Sequence, residues 1–145
     1  MNKRGEIILS ILYLKGKVWG RTYLQKLLYL LNREVFDNTL FDYKFHKYGP
    51  YSEDINVEIT TLETERQIEE KAVLTKGLNT AYTYELTENG KKIASDIFIK
   101  KLSNKEREKL IEYINKFGSF SSTELLRYVY SKYPEVAENS IFEGF

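Results

Sequence analysis

Three stretches predict an α+β, mainly helical fold: a winged helix-turn-helix with a two-stranded wing and additional C-terminal helices. They are Gly20-Arg21-Thr22-Tyr23-Leu24-Gln25-Lys26-Leu27-Leu28-Tyr29, then Phe45-His46-Lys47-Tyr48-Gly49-Pro50-Tyr51-Ser52, then Tyr84-Glu85-Leu86-Thr87-Glu88-Asn89-Gly90. The first reads as a turn entering an apolar helix, the second as a turn entering the next helix, and the third as a strand ending at a helix cap. With 145 residues, 42% hydrophobic and 30% charged, the chain is long enough to bury a core as a single domain over 1–145 without staples. Within it the winged-helix core is expected over about 3–100, an appended helical hairpin over about 103–133 and a tail over 134–145.

Each element has a local cause. Ile7, Ile8, Ile11, Leu12 and Leu14 repeat as one helical face that ends before Gly16. Thr22 with Gln25 has the spacing of a capping box and predicts the start of a second helix. Leu24, Leu27, Leu28 and Leu31 line one face of that helix, and Tyr23 and Leu30 extend its apolar circumference, so it is expected to be central or to lie in a dimer interface. A turn-rich insertion covers 36–50, with Tyr43 and Phe45 alternating as a short strand and Gly49-Pro50 as a turn. Ser52 is expected to cap a third helix with Glu53 and Asp54 in its first turn and Ile55, Ile59 and Leu62 facing inward. Residues 68–74 and 82–86 alternate as two strands around Lys76-Gly77-Leu78-Asn79. Thr87 caps a fourth helix bearing Ile93, Ala94 and Ile97. Ser103 with Glu106, and Ser121 with Glu124, open two more with Leu110, Ile114 and Phe117, then Leu125, Val129 and Tyr133. Pro134 ends the last long helix, leaving a tail that is either loosely attached or a short docked helix.

The Gly20-Arg21 and Leu24-Gln25-Lys26 block, the Tyr48-Gly49-Pro50-Tyr51-Ser52 turn, Ile68-Glu69-Glu70 and Leu86-Thr87-Glu88-Asn89-Gly90 resemble the YwgA-like family of uncharacterised prokaryotic proteins. More distantly, the Leu-Gln-Lys-Leu-Leu-Tyr helix and the Tyr-Gly-Pro turn are similar to the Panacea domain of SocA-type antitoxins. The resemblance spans about 7–93, leaving the C-terminal helices outside. It implies a winged-helix fold and neutralisation or delivery of a protein partner, and it supplies no catalytic residue. Arg66-Gln67-Ile68 stands where such cores often carry Gly-Leu-Ile, which predicts a longer passage from the third helix into the wing.

Chemistry has little to build on. Zero cysteines exclude disulfides, thiolate zinc sites and cysteine nucleophiles, and suit a reducing compartment. His46 is the one histidine and has no flanking carboxylate pair at helical spacing, so it reads as structural or surface rather than as a metal ligand. Ser52 is explained by capping, and a nucleophile would need an oriented base beside it. Gly16 and Gly20 lack the Lys-Ser or Lys-Thr of a phosphate loop. Neither a spanning segment nor a signal peptide is expected, since the apolar run from Ile7 to Leu14 ends at Lys15, so a cytoplasmic protein is the expectation. Neither a metal nor a cofactor is expected.

Charge orders the remaining functions. A DNA-reading third helix needs donors and cations on its exposed face. The corresponding segment, 53–70, carries Glu53, Asp54, Glu58, Glu63, Glu65, Glu69 and Glu70 against Arg66, and would repel phosphates. Positive charge gathers instead on Lys3, Arg4, Lys15, Lys17, Arg21, Lys26 and Arg33, and after the wing on Lys91, Lys92, Lys100, Lys101 and Lys105. The expectation is therefore a non-enzymatic regulatory binding module that recognises a protein partner or associates with itself, of antitoxin or adaptor type as the resemblance implies. Its partner-binding residues would be Arg21, Tyr48, Tyr51, Glu53 and Glu58, because tyrosine and arginine dominate many interfaces and loops expose what they carry. The alternative is a DNA-binding transcriptional regulator using Lys91, Lys92, Lys100 and Lys101.

Overall fold

A computed structural model describes residues 1–46 and 49–138. The elements run α1 (Lys3–Lys15), β1 (Lys17–Val18), α2 (Gly20–Glu34), β2 (Lys44–His46), β3 (Gly49–Tyr51), α3 (Glu53–Thr64), β4 (Ile68–Leu74), β5 (Thr80–Leu86), α4 (Glu88–Asp96), a π-helical turn (Ile97–Lys101), α5 (Asn104–Phe117), α6 (Ser122–Lys132) and α7 (Pro134–Ala137). The fold is mixed α+β and mainly helical. Two small antiparallel sheets accompany the helices: β1-β5-β4, with Val18 opposite Tyr84 and Ile68 opposite Leu86, and the ribbon β2-β3, with Phe45 opposite Pro50.

The core is built on α1 and α2. Ile7, Ile8, Leu9, Ile11 and Leu12 are all sealed, and Tyr23, Leu24, Leu27, Leu28, Tyr29, Leu30 and Leu31 bury nearly the whole circumference of α2. A helix apolar all round needs neighbours on every side, and α2 has them: β1, β3, β5 and α6 all pack on it. The C-terminal helices thus share the main core, with Phe117, Leu125 and Val129 fully buried and the Tyr23 hydroxyl donating to the Phe117 carbonyl at 2.9 Å.

Several predicted caps form. Thr87 Oγ1 accepts from the Gly90 amide, and both Ser103–Glu106 and Ser121–Glu124 make complete reciprocal boxes. Gly16 ends α1 at φ 91°, and α7 docks the start of the tail by burying Val136, with 139–145 outside the described residues.

Three local expectations are corrected. The Thr22–Gln25 box is absent: α2 starts at Gly20, directly after β1, so Thr22 is already helical and its hydroxyl meets Ser122 Oγ at 3.2 Å. Gly49-Pro50 begins a strand rather than making a turn, in a two-stranded ribbon where proline's missing N–H is tolerated. Ser52 occupies the N-cap position of α3, but its side chain caps nothing. Its Oγ is buried with no hydrogen-bond partner among the described residues. The passage from α3 into β4 takes three residues, 65–67. Arg66 itself takes the left-handed conformation, φ 59°, and the Gln67 amide closes back on the Leu62 carbonyl.

Candidate functional site

The helix start at Gly20 aims Arg21 across α2 toward α3 and the sheet. Its Nε donates to the Tyr84 hydroxyl at 3.0 Å, one terminal nitrogen to Asn56 Oδ1 at 3.4 Å and the other to Glu63 Oε1 at 3.1 Å. Burial pulls the proton affinity of the guanidinium down, and the Tyr84 hydroxyl with the Glu63 and Glu70 carboxylates outweigh it. Arg21 is therefore a clamp among α2, α3 and β5 as well as a surface cation.

Asn56 carries the connection onward by donating to the Tyr51 hydroxyl, which in turn donates to Glu53 at 2.9 Å. That carboxylate holds the Tyr51 proton above its ordinary range. The ring of Tyr51 lies against His46 with centroids 5.0 Å apart. Sequence reasoning placed Arg21 and Tyr51 together, and they do border one cleft of about 320 Å³, with Thr22, Gln25, Lys26, His46, Gly49, Pro50 and Asn56. Its walls are mostly carbon, and such hollows with a few convergent polar groups are where ligands and partner side chains bind.

Gln25 fixes the far wall. Its amide nitrogen donates to the Ser52 carbonyl and its oxygen accepts the Ser52 amide, each at 2.8 Å, so a buried side chain of α2 pins the β3–α3 junction from both directions. Gly49, at φ 114°, lets β3 pass the side chains of α6: a Cβ there would lie 2.8 Å from Leu126 Cδ1.

Of the other predicted residues, Glu53 is exposed beside Tyr51, on the rim of a second hollow with Asp42, Lys44, His46 and Asp54. Glu58 lies apart from the cleft, 9% exposed, accepting from the Asn2 amide at 2.7 Å at the start of α1. Tyr48 falls outside the described residues. The cations of the first half are largely partnered, Lys3 with Glu106, Arg4 with Asp54 and Arg33 with Glu135. Lys91, Lys92 and Lys100 border a shallow groove with Ile99, and two of these lysines are paired on their own helical stretch, Lys91 with Glu88 and Lys100 with Asp96. Lys101 is exposed and lies off that groove.

Three contributors were missed by sequence reasoning: Gln25, Asn56 and Lys26. Gln25 was assigned to a cap, and Asn56 was hidden among acidic neighbours. Lys26 carried a usable signal, since it is a lysine on a helix otherwise apolar nearly all round. Among the described residues no group of three histidine, aspartate or glutamate side chains is arranged to hold a metal, and no helix is long and apolar enough to cross a membrane.

The chain is similar in sequence to known proteins. It is 37% identical over 78 residues to the uncharacterized protein YwgA of Bacillus subtilis (strain 168), an alignment covering 52% of this chain and 44% of that relative. The chain thus spans less than half the length of the curated relative it matches. The family described as antitoxin SocA-like, Panacea domain, matches residues 24–134. That span runs through α5 and α6, so the C-terminal helices expected to stand outside the resemblance lie within it. With the match extending from the Leu24-Gln25-Lys26 block of α2 to Pro134 at the head of α7, this chain belongs to the antitoxin SocA-like, Panacea domain family.

Proposed function

We propose that the chain is a non-enzymatic winged-helix binding module of antitoxin or adaptor type, which recognises a protein partner through the cleft bordered by Arg21 and Tyr51 and the adjoining Glu53. The winged-helix reading is supported by the element order helix, strand, helix, inserted two-stranded ribbon, helix, hairpin, and by a sheet in which β1 pairs with β5, the second strand of that last hairpin. Family membership supports the partner class. The observation that carries the reading is the cleft itself: a carbon-walled hollow of about 320 Å³ between α2, β3 and α3, edged by an arginine and a tyrosine. Glu58 is left out because it is engaged by Asn2 at the opposite end of α1.

DNA binding is supported less well. Glu53 is exposed on the first turn of α3, Arg21 is committed to Glu63, and Lys91 and Lys100 are already paired. Affinity capture from the native host tests the choice. Immobilised wild-type chain should retain a protein that resists nuclease treatment, and Tyr51→Ala should lose it while Lys92→Ala with Lys101→Ala retains it. A complex abolished by nuclease, or by the lysine pair and not by Tyr51→Ala, would move the function to the basic groove.

A further inference from the structure

Lys26 lines the Arg21–Tyr51 cleft, half-buried, one turn along α2 from Thr22. It makes no hydrogen bond and no ion pair with any described residue, whereas Arg21 and Arg33 on the same helix each hold a glutamate. Burial pushes its ammonium below the ordinary lysine range. Partly dehydrating an ammonium without a counter-ion is unfavourable, and a nearby carboxylate reverses the sign. The surrounding wall is apolar: Gly49 and Pro50 are buried, and the Tyr51 and His46 rings close one side. On the other side of that ring pair the second hollow carries Asp42, Glu53 and Asp54 with Lys44. The two hollows thus differ in charge across one aromatic ridge.

We infer that the cleft takes an apolar side chain from an extended segment of a partner protein, and that an aspartate or glutamate next to that side chain pairs with Lys26. This rests on the protein-partner reading above. Arg21 already holds Tyr84, Asn56 and the Glu63 carboxylate, whereas Lys26 has no counter-ion among the described residues and is the cation at this cleft whose charge an incoming anion would balance. Carboxylates on the far side of the ridge repel an acid there and so fix the direction in which the segment lies. A nucleic-acid strand would have to bring further phosphates against Glu53 and Asp54.

Random dodecapeptides displayed on phage and selected on the full chain test the inference. Enriched peptides should carry Asp or Glu within two residues of Leu, Ile, Met or Phe. A synthetic copy of one should bind Lys26→Glu about tenfold or more weaker than wild type, and recover when its acid is changed to lysine. Lys26→Gln should weaken the same peptide while melting no lower than wild type, which separates lost pairing from lost folding. Absence of enrichment, enriched peptides without an acid, or equal affinity for Lys26→Glu would each overturn the inference. If peptides depend on Tyr51 and not on Lys26, the inference falls and the partner reading stands; if they depend on neither, both fall at this cleft. If no peptide is enriched, binding of a single-stranded oligonucleotide that is lost in Lys26→Gln would assign the cleft to nucleic acid and overturn the inference.

Discussion

Gly90 is held where a Cβ would lie 1.8 Å from the carbonyl oxygen of Gln67, because the first turn of α4 closes onto the end of α3 through Thr87, whose amide also donates to Gln67. Neither partner can retreat, since both are backbone. Gly90→Ala should cost about 3 kcal/mol or more, or abolish folding, as measured by urea titration. At Gly49 the obstacle is the end of the Leu126 side chain, which can turn away, so the main cost of Gly49→Ala is its φ of 114°. Arg66 is the opposite case. A residue with a Cβ occupies the left-handed position that usually takes glycine, and its side chain is exposed and makes no hydrogen bond or ion pair with a described residue. Arg66→Gly should raise stability by about 0.5–1 kcal/mol, less than the strain removed because glycine also loosens the unfolded chain. A fall in the urea midpoint would mean that arginine contributes more there than its backbone costs.

Helix α2 decides both the core and the cleft. Leu27 and Leu28 are fully buried, and truncating either to alanine should cost about 2–5 kcal/mol. Gln25→Ala should cost about 1–3 kcal/mol, because it leaves the Ser52 amide buried and unpaired while the Ser52 carbonyl keeps only the Ile55 amide, and should also loosen the cleft wall. Amide exchange at Ser52 and Asn56, faster in Gln25→Ala than in an equally destabilised Leu27→Ala, would show that the effect is local. Much of this helix was legible in sequence, because an apolar circumference can only be satisfied from all sides, and the three correctly anticipated caps obey purely local rules. The cleft was legible only in part. Arg21 and Tyr51 were placed together from residue type, but Gln25 reaching across twenty-seven positions to Ser52 is a tertiary bond that no local spacing encodes. The same bond explains the misread cap, since Gln25, the sixth residue of α2, cannot close a box while it clamps the start of α3. Ser52 failed as a side-chain cap for the complementary reason: the junction is held through its backbone. Strand β1 was invisible for another reason, since Lys17 and Val18 are too short a run to show alternation and become a strand only by pairing with β5.

At the scale of the molecule, Glu34 joins the end of α2 to the C-terminal helices that fall within the family's span. Its carboxylate, 14% exposed, accepts from the Tyr113 and Tyr133 hydroxyls and pairs with Lys132 at 2.6 Å. Burial raises its proton affinity, and the lysine and the two phenols more than reverse that, leaving it below the ordinary glutamate range. Glu106 is lowered too, opposed by burial but held by the Ser103 amide and by Lys3, and it ties α5 to α1. A carboxylate depressed on folding contributes stability that is fully present above its unfolded value near 4.5 and is lost as pH falls through the lower folded value. Lys132 has the opposite sign. Its proton is held above the ordinary 10.5, so its contribution is present below that value and fades as pH rises through the folded one. The Glu34 junction should therefore be intact across neutral pH and yield from the acid side first. Glu34→Gln should lose about 2–3 kcal/mol at pH 7, because a charge-assisted set of hydrogen bonds is replaced by a neutral one that leaves Lys132 without its counter-ion. The deficit should shrink as pH is lowered below 4.5 and the wild-type carboxylate takes up its proton. Thermal unfolding of both proteins from pH 7 to pH 3 measures this, with near-ultraviolet circular dichroism following the tyrosines of α5 and α6. Curves that stay parallel throughout would mean that Glu34 is not the group whose protonation loosens the molecule, and would leave Glu106 to be tested by the same substitution.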